Sequence, residues 1–542
     1  MTMLRTALSA AGLLLAAPAV AASPVVDAPA GTVEGKAVGK VREFKGIPFA
    51  QPPVGPLRWK APQPLAAWTG VRKAQSFGAA CIQSRPNAVH IYANPPAKIS
   101  EDCLTLNIWA PERVKDAPVI VWIHGGALTT GYSHEGMYDG AKLAARGAIV
   151  VSINYRLGVL GYLAHPALSA ESPDGVSGNY GLLDQIAALE WVKANIGAFG
   201  GDAANVTIAG ESAGALSVMY LMASPRARGL FHKAIAQSAY MISSPSLKEE
   251  RYGEPAAEAT GVRVAAALGA DDLAALRAMD ATTLSDGALK AGYFPWGTVD
   301  GKILPRQLVD IFDRGEQAPV PIIAGFNIGE IRSLRMLAPP VPPNAAAYEA
   351  VIRARYGDLA DAWLKLYPAR DLADTILATP RDALYGWTSE RLAIKQGALG
   401  QPAYLYLFDH GYPAASEAGL HGFHAAEIPY VFGTANDTPP YWPKIPDTVA
   451  ERKFATAMGD YWVSFARTGR PEAAGQAAWR PYGEEAVFMA FADIPRAGAR
   501  LMPGMYALHE AAVCRRRAAG NQPWNWNTGI MSPVLAKGAN CP

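Results

Sequence analysis

The stretch AGESAGALSV, Ala209 to Val218, contains the pentapeptide Gly210-Glu211-Ser212-Ala213-Gly214, a G-x-S-x-G pattern. A serine between two glycines does chemistry when it sits on a sharp turn from a strand into a helix, because the turn exposes its hydroxyl as a nucleophile. Such a serine needs N–H donors for the oxyanion it creates, a histidine base, and an acid that orients the histidine. The run HGGAL, His124 to Leu128, offers the donors from small residues with accessible N–H groups. Gly126 and Ala127, with Ala213 just after the serine, are the expected oxyanion set. Histidines follow Ser212 at 232, 410, 421, 424 and 509. With the chain order serine, acid, histidine, His232 comes too early for an acid-bearing strand to intervene. His410 ends a strand and His421 and His424 lie in the loop beyond it, so these remain open choices. For the acid, Glu330 stands at the carboxyl end of VPIIAGFNIGE. Its rival is Asp300 in TVDGKILP, which reads more as a turn aspartate before glycine. Glu211, beside the serine, is placed either to tune the electric field of the site or to serve structure alone.

These residues need elements that hold them. PVIVWI (118–123), IVVSIN (149–154) and NVTIA (205–209) are short β-branched runs without alternation, as expected of strands covered on both faces. Between the second and third, Leu182, Ile186, Leu189 and Val192 recur at helical spacing, and Gly197, Gly200 and Gly201 close the segment. AGALSVMYLMAS after Ser212 reads as a helix. The pentapeptide therefore ends a strand and opens a helix, and the helix N-terminus adds N–H groups and partial positive charge beside the reacting oxygen. The fold class expected is α/β: a large, mostly parallel twisted sheet with helices on both faces. GTVEGKAVGKVREFKG (31–46) predicts an N-terminal β-hairpin, and segments of about 243–292 and 340–400 predict helical caps.

The 542 residues are half hydrophobic, enough for a large core, with no linker, internal repeat or long charge run to mark a boundary. A net charge of +2 gives no case for a nucleic-acid partner. Residues 1–22 read as a secretory signal peptide: Arg5, an apolar run from Ala7 to Ala17, then PAVAAS, with cleavage near Ala21 or Ala22. Residues 23–542 then form one domain, secreted or periplasmic, with no membrane anchor once the signal is removed. In that oxidising setting Cys81, Cys103, Cys514 and Cys541 allow three pairings; the local ones, 81 with 103 and 514 with 541, close the shortest loops. No C-x-x-C or Cys/His cluster points to a metal. Nothing in the chain indicates its oligomeric state.

Together these stretches resemble the type-B carboxylesterase family of α/β-hydrolases, which includes cholinesterases and bacterial para-nitrobenzyl esterases. EDCLTLNIWAP (101–111) and FGGDAANVTIAGESAGA (199–215) resemble two family signatures, and FKGIPFAQPPVGPLRW, HGGAL, NYRLGVLGYL and FHAAEIPYVFG follow in the expected order. The resemblance implies nucleophile Ser212, acid Glu330 and base His424, which precedes AAEIPY, with Gly126, Ala127 and Ala213 as oxyanion hole, a Cys81–Cys103 bond and no cofactor. It implies two-step acyl transfer on a small-molecule ester. Alternatives within the same fold are a lipase and a non-catalytic, neuroligin-like binding protein. Four features depart from the family pattern. Leu128 stands where an aromatic is common, which widens the acyl side of the expected pocket. The loop between Cys81 and Cys103 has no tryptophan, against choline specificity. Arg332 and Arg335 follow the acid, and the tail after Cys514 has no counterpart. Those two arginines, with Arg85 and Lys98, read either as paired or solvated surface cations or as receptors for carboxylate-bearing esters; fumonisin-type tricarballylic esters are the specific case the family suggests.

Overall fold

A computed structural model describes residues 23–84, 90–524, 527–538 and 540–541. The expected signal segment, Arg85 and Trp526 lie outside these residues.

Eleven strands form the central sheet: β1 Lys36–Val38, β2 Val41–Pro48, β3 Thr105–Pro111, β4 Ala117–Ile123, β5 Ile149–Ile153, β6 Gly201–Glu211, β7 Lys233–Gln237, β8 Ile322–Asn327, β9 Ala403–Phe408, β10 Val487–Phe491 and β11 Pro495–Ala499. Their order across the sheet is β11-β10-β9-β8-β7-β6-β4-β5-β3-β2-β1. The seven strands from β10 to β5 run parallel, and antiparallel pairs close both edges. The centre is parallel because the apolar runs have two faces to bury. In β4, Val119, Val121 and Ile123 enter one core layer while Ile120 and Trp122 enter the other; β5 divides in the same way. Leu182, Ile186, Leu189 and Val192 of the helix Tyr180–Asn195 cover the first face, with the helix Ala213–Ala223. Phe454, Tyr461, Trp462 and Phe465 of the helix Val449–Thr468 cover the second.

The elements differ from expectation in two places. The stretch 31–46 is not one hairpin. β1 and β2 pair antiparallel, but Gly31–Glu34 joins a separate three-stranded sheet with Val25–Ala28 and Val71–Lys73. Gly35 marks the division, for a Cβ there would meet the Glu43 carbonyl oxygen at 2.3 Å. The segment 340–400 is helical, yet its last helix, Trp387–Ala398, packs on β8 and β9 rather than standing above the sheet. The tail begins inside a helix, Met505–Ala519, that ends at the left-handed Gly520; beyond it, among the described residues, only Gly529–Met531 makes a helical turn. Cys81–Cys103 and Cys514–Cys541 are both disulfides.

Candidate active site

Ser212 stands between β6 and the helix Ala213–Ala223 with φ 56° and ψ −121°, a conformation that a side chain rarely adopts. The neighbouring glycines make the turn possible. A Cβ on Gly210 would lie 2.5 Å from the Gly214 carbonyl carbon, and one on Gly214 only 2.0 Å from the Ile123 oxygen. The turn is tied to the next strand through Ser212 N–H, which donates to the Gln237 carbonyl at 2.9 Å. At the end of β4 the backbone passes through three consecutive positive φ values, at Gly126, Ala127 and Leu128. The Gly126 carbonyl accepts from Thr129 N and Thr130 N, each at 3.0 Å, and so folds the loop back on itself. The N–H groups of Gly126 and Ala127 donate to no acceptor among the described residues. Ala213 N–H, at the first helical position, lacks an intrahelical partner by geometry. Three free donors thus stand at the elbow, where Gly125 is so close that a Cβ on it would touch Ser212 Cβ at 3.3 Å.

Glu330 opens a short helix, Glu330–Ser333, directly after β8, and it is wholly buried. Its Oε1 accepts from Ser238 Oγ at 2.6 Å and from Asn327 N at 2.8 Å. Its Oε2 pairs with His424 Nδ1. The His424 loop is held to the acid loop by Gly329 N donating to the Gly422 carbonyl at 2.7 Å and Asn327 Nδ2 donating to the Phe423 carbonyl at 2.7 Å. On its other edge, His424 Nε2 lies 3.1 Å from Glu211 Oε1 and, among the described residues, makes no hydrogen bond to Ser212. Resting-state contacts of this kind often tighten only when substrate is bound.

Three buried carboxylates, Glu211, Glu330 and Glu427, face this one imidazole. Burial by itself would lower the pKa of His424, but the carboxylates outweigh it and raise it to about 9. Burial drives Glu211 up to about 8; His424 pulls against that, while Glu427, Glu330 and Glu135 add to it. Glu427 is also raised by burial, although the side-chain amides of Asn327 and Gln237 donate to it at 2.6 and 2.8 Å.

The carboxylesterase family model matches residues 22–499. The chain belongs to the carboxylesterase family. This esterase is 38% identical over 487 residues to a fumonisin B1 esterase of Sphingopyxis macrogoltabida, covering 85% of each chain. It is 35% identical to the para-nitrobenzyl esterase of Bacillus subtilis (strain 168), over 85% of this chain and 93% of the relative. A solved para-nitrobenzyl esterase superposes with a TM-score of 0.77 at 31% identity, over 90% of this chain and 99% of its own. The Geobacillus stearothermophilus carboxylesterase EST55 gives the same score at 33% identity, over 89% and 99%. The fold is that of an α/β-hydrolase, and the protein is a carboxylic ester hydrolase.

The remaining side chains of the esterase divide between the site and its surroundings. Asp300 is the turn residue its sequence suggests: it accepts from the N–H groups of Lys302, Ile303 and Leu304 and from Asn179 and, among the described residues, pairs with no histidine. His421 pairs with Asp409 at 2.8 Å and His410 with Glu451 at 3.0 Å. Leu128 is fully buried in the core. Arg332 lines a surface cleft of about 430 Å³ and is committed to Asp374 at 2.8 Å, whereas Arg335 and Lys98 are exposed. Several members of the site have no motif of their own. Gln237 and Asn327 end strands, and Ser238 follows Gln237. Tyr92 and Tyr385 stand beside His424, with ring centroids 6.4 and 5.4 Å from it. Tyr385 belongs to a π-helical turn, Asp382–Gly386, a widening that often re-aims a functional side chain. Only Glu427 had a signal, as the glutamate of FHAAEIPY.

Proposed function

We propose that this esterase works by acyl transfer through Ser212, with His424 as base and then acid, Glu330 as its orienting carboxylate, and the N–H groups of Gly126, Ala127 and Ala213 as oxyanion hole. The observation that carries the reading is the buried Glu330 carboxylate on His424 Nδ1. It fixes the ring so that Nε2 lies on the side of the Glu211–Ser212 turn. His424 takes the Ser212 proton as Oγ attacks the ester carbonyl, and the three N–H groups receive the oxyanion. The imidazolium then protonates the departing alcohol, and water repeats the attack on the acyl-enzyme. Ser212→Ala and His424→Ala should each lower kcat by on the order of 10⁴-fold or more, with the double variant hardly worse, because such residues act as a unit. Near-normal turnover in His424→Ala, with loss in His421→Ala or His410→Ala, would give the role of base to another histidine.

The substrates in this proposal are medium or bulky esters, including esters that carry free carboxylates. The fumonisin B1 esterase among the relatives supports that class, and fumonisin-type tricarballylic esters are its specific case. Arg335, exposed and without an ion pair among the described residues, suits an incoming carboxylate better than Arg332, which Asp374 already holds. A carboxylate-bearing ester should exceed its neutral match in kcat/KM by roughly two- to fivefold at low salt, and Arg335→Ala should erase the difference. Equal rates in the wild type would leave a broad-specificity carboxylesterase. Two disulfides are compatible with an oxidising compartment. The reading of residues 1–22 as a signal places the mature enzyme outside the cytoplasm, starting near Ser23, which N-terminal sequencing of the exported protein would check.

A further inference from the structure

The loop between Cys81 and Cys103 touches both halves of the site. Its ends are fixed: both cysteines are buried, they are bonded to each other, and Ala80 and Cys81 pair in parallel with Ile99 and Ser100. From one end, the buried Gln83 side chain makes two opposed hydrogen bonds to Gly131, donating to its carbonyl at 2.9 Å and accepting from its N–H at 3.0 Å. Gly131 ends the oxyanion loop, one residue past Thr130, whose N–H reaches back to the Gly126 carbonyl. Farther along, a tight turn with Ala93 N–H donating to the His90 carbonyl at 2.9 Å presents Tyr92. The Tyr92 hydroxyl lies 2.8 Å from the His424 carbonyl oxygen and 2.7 Å from Ser333 Oγ. A phenol has one proton, and the carbonyl can only accept; that proton goes to His424, and Ser333 pairs with the phenol oxygen. Ser333 Oγ also accepts the His424 N–H at 3.3 Å, so the main chain of His424 is gripped on both sides.

The base loop has reason to need a grip. His421 and Ala425 flank His424 with φ of 52° and 67°, conformations that non-glycine residues keep only where their surroundings over-determine them. The Tyr92 ring adds packing, standing edge-on to Trp442 at 5.8 Å, which in turn lies 4.7 Å from Phe423.

We infer that the two described arms of the Cys81–Cys103 loop, residues 81–84 and 90–103, position the catalytic machinery, with Tyr92 as a positioning residue for His424 and Gln83 as one for the oxyanion loop. The inference rests on the reading of His424 as base. Tyr92 acts through the main chain of His424, so loss of its hydroxyl lets the imidazole drift without altering the acyl pocket.

The test is Tyr92→Phe, which keeps the ring, assayed on a dissolved neutral short-acyl ester at a temperature well below melting. Both kcat and the rate of inactivation by a serine-reactive phosphonate should fall roughly 10- to 100-fold, the scale of a small misplacement of a catalytic group. KM should stay within about twofold, and Tm within about 2 °C, as for the loss of one hydrogen bond in a chain of this size. Ser333→Ala added to Tyr92→Phe should cost little more, since both belong to one contact. Gln83→Ala should lower kcat independently and add to Tyr92→Phe. Cys81→Ser with Cys103→Ser should lower kcat, whereas Cys514→Ser with Cys541→Ser should lower only Tm. A Tyr92→Phe enzyme with kcat within threefold of wild type, with its loss confined to KM, or with a loss that tracks the unfolded fraction overturns the inference. If His424→Ala is itself active, the reading of the base fails instead, and the two failures are distinguishable.

Discussion

The imidazole of His424 lies among three carboxylates, and the one nearest its Nε2 edge is Glu211 at 3.1 Å. A negative charge there favours the imidazolium, which strengthens the base but keeps it protonated to higher pH. Glu211→Gln removes that charge and leaves the shape. The pKa of His424 should then fall from about 9 toward its ordinary range. Because the proposed base works unprotonated, the acidic limb of kcat/KM should move to lower pH, by roughly one unit. The plateau at high pH should drop, since the imidazolium formed in the transition state loses support. Profiles of wild type and variant decide this, and an unmoved acidic limb would show that Glu211 does not act on the base. At this scale the sequence was legible where chemistry and backbone are local. Ser212 and its two glycines are read within five residues because one turn imposes all three. Glu330 against Asp300, and His424 against His421 and His410, stayed open on the residues alone. What separates them is a contact between positions 330 and 424, and spacing along the chain carries no distance across a sheet. Tyr92 is more distant still, a phenol acting on a backbone carbonyl 332 positions away.

Between residue and molecule, the loop of the proposed oxyanion hole shows how an element is specified by what it excludes. Gly126 has φ +102°, and a Cβ there would lie 2.2 Å from the Thr130 carbonyl oxygen. That carbonyl is backbone, and the next residue is pinned by Gln83, so the loop has no easy way to yield. Gly126→Ala should therefore displace the donors as well as strain the loop. The expected result is a fall in kcat of on the order of 10² to 10³, the cost of losing an oxyanion donor, together with a lower Tm. Gly39→Ala is the control. Its φ is +58° with open space around it, so it should cost about 1 kcal/mol through the backbone alone and leave kcat unchanged. Equal activity in the two variants would mean that the loop is not poised for an oxyanion. Strands β4, β5 and β6 were legible because burial on both faces demands unbroken apolar runs. Of the stretch 31–46, the hairpin forms from Lys36 onward, while Gly31–Glu34 joins another sheet: alternation names a strand but not its partner, and Gly35 lets the chain leave one sheet for another.

Across the whole molecule, the tail is the part that no motif foretold beyond a cysteine count. Among its holds are two buried side chains and a disulfide. Arg516, buried, donates to the carbonyls of Trp524 and Asn527 at 2.8 and 2.9 Å and to Ser532 Oγ at 2.7 Å. Trp524, also buried, donates from Nε1 to the Met241 carbonyl at 3.2 Å and packs edge-on against Tyr252 at 4.9 Å. The Cys514–Cys541 bond then closes the segment over a separation of 27 residues. Met241 is three residues beyond Ser238, which holds Glu330, and its N–H is held by Thr388 at 2.9 Å. The tail is thus the outer layer of the wall behind Glu330. Chain-entropy reasoning gives the disulfide about 3–4 kcal/mol, and truncation of a buried tryptophan costs about 3–5 kcal/mol. The two should not add. Once Trp524→Ala has loosened the segment from Met241, opening Cys514–Cys541 releases a chain that is already partly free, so the combined loss should fall short of the sum by about 1 kcal/mol or more. Denaturant melts of the single and combined variants measure this coupling. Full additivity would mean that disulfide and tryptophan secure separate pieces of the tail, and that the wall behind Glu330 depends on Trp524 alone.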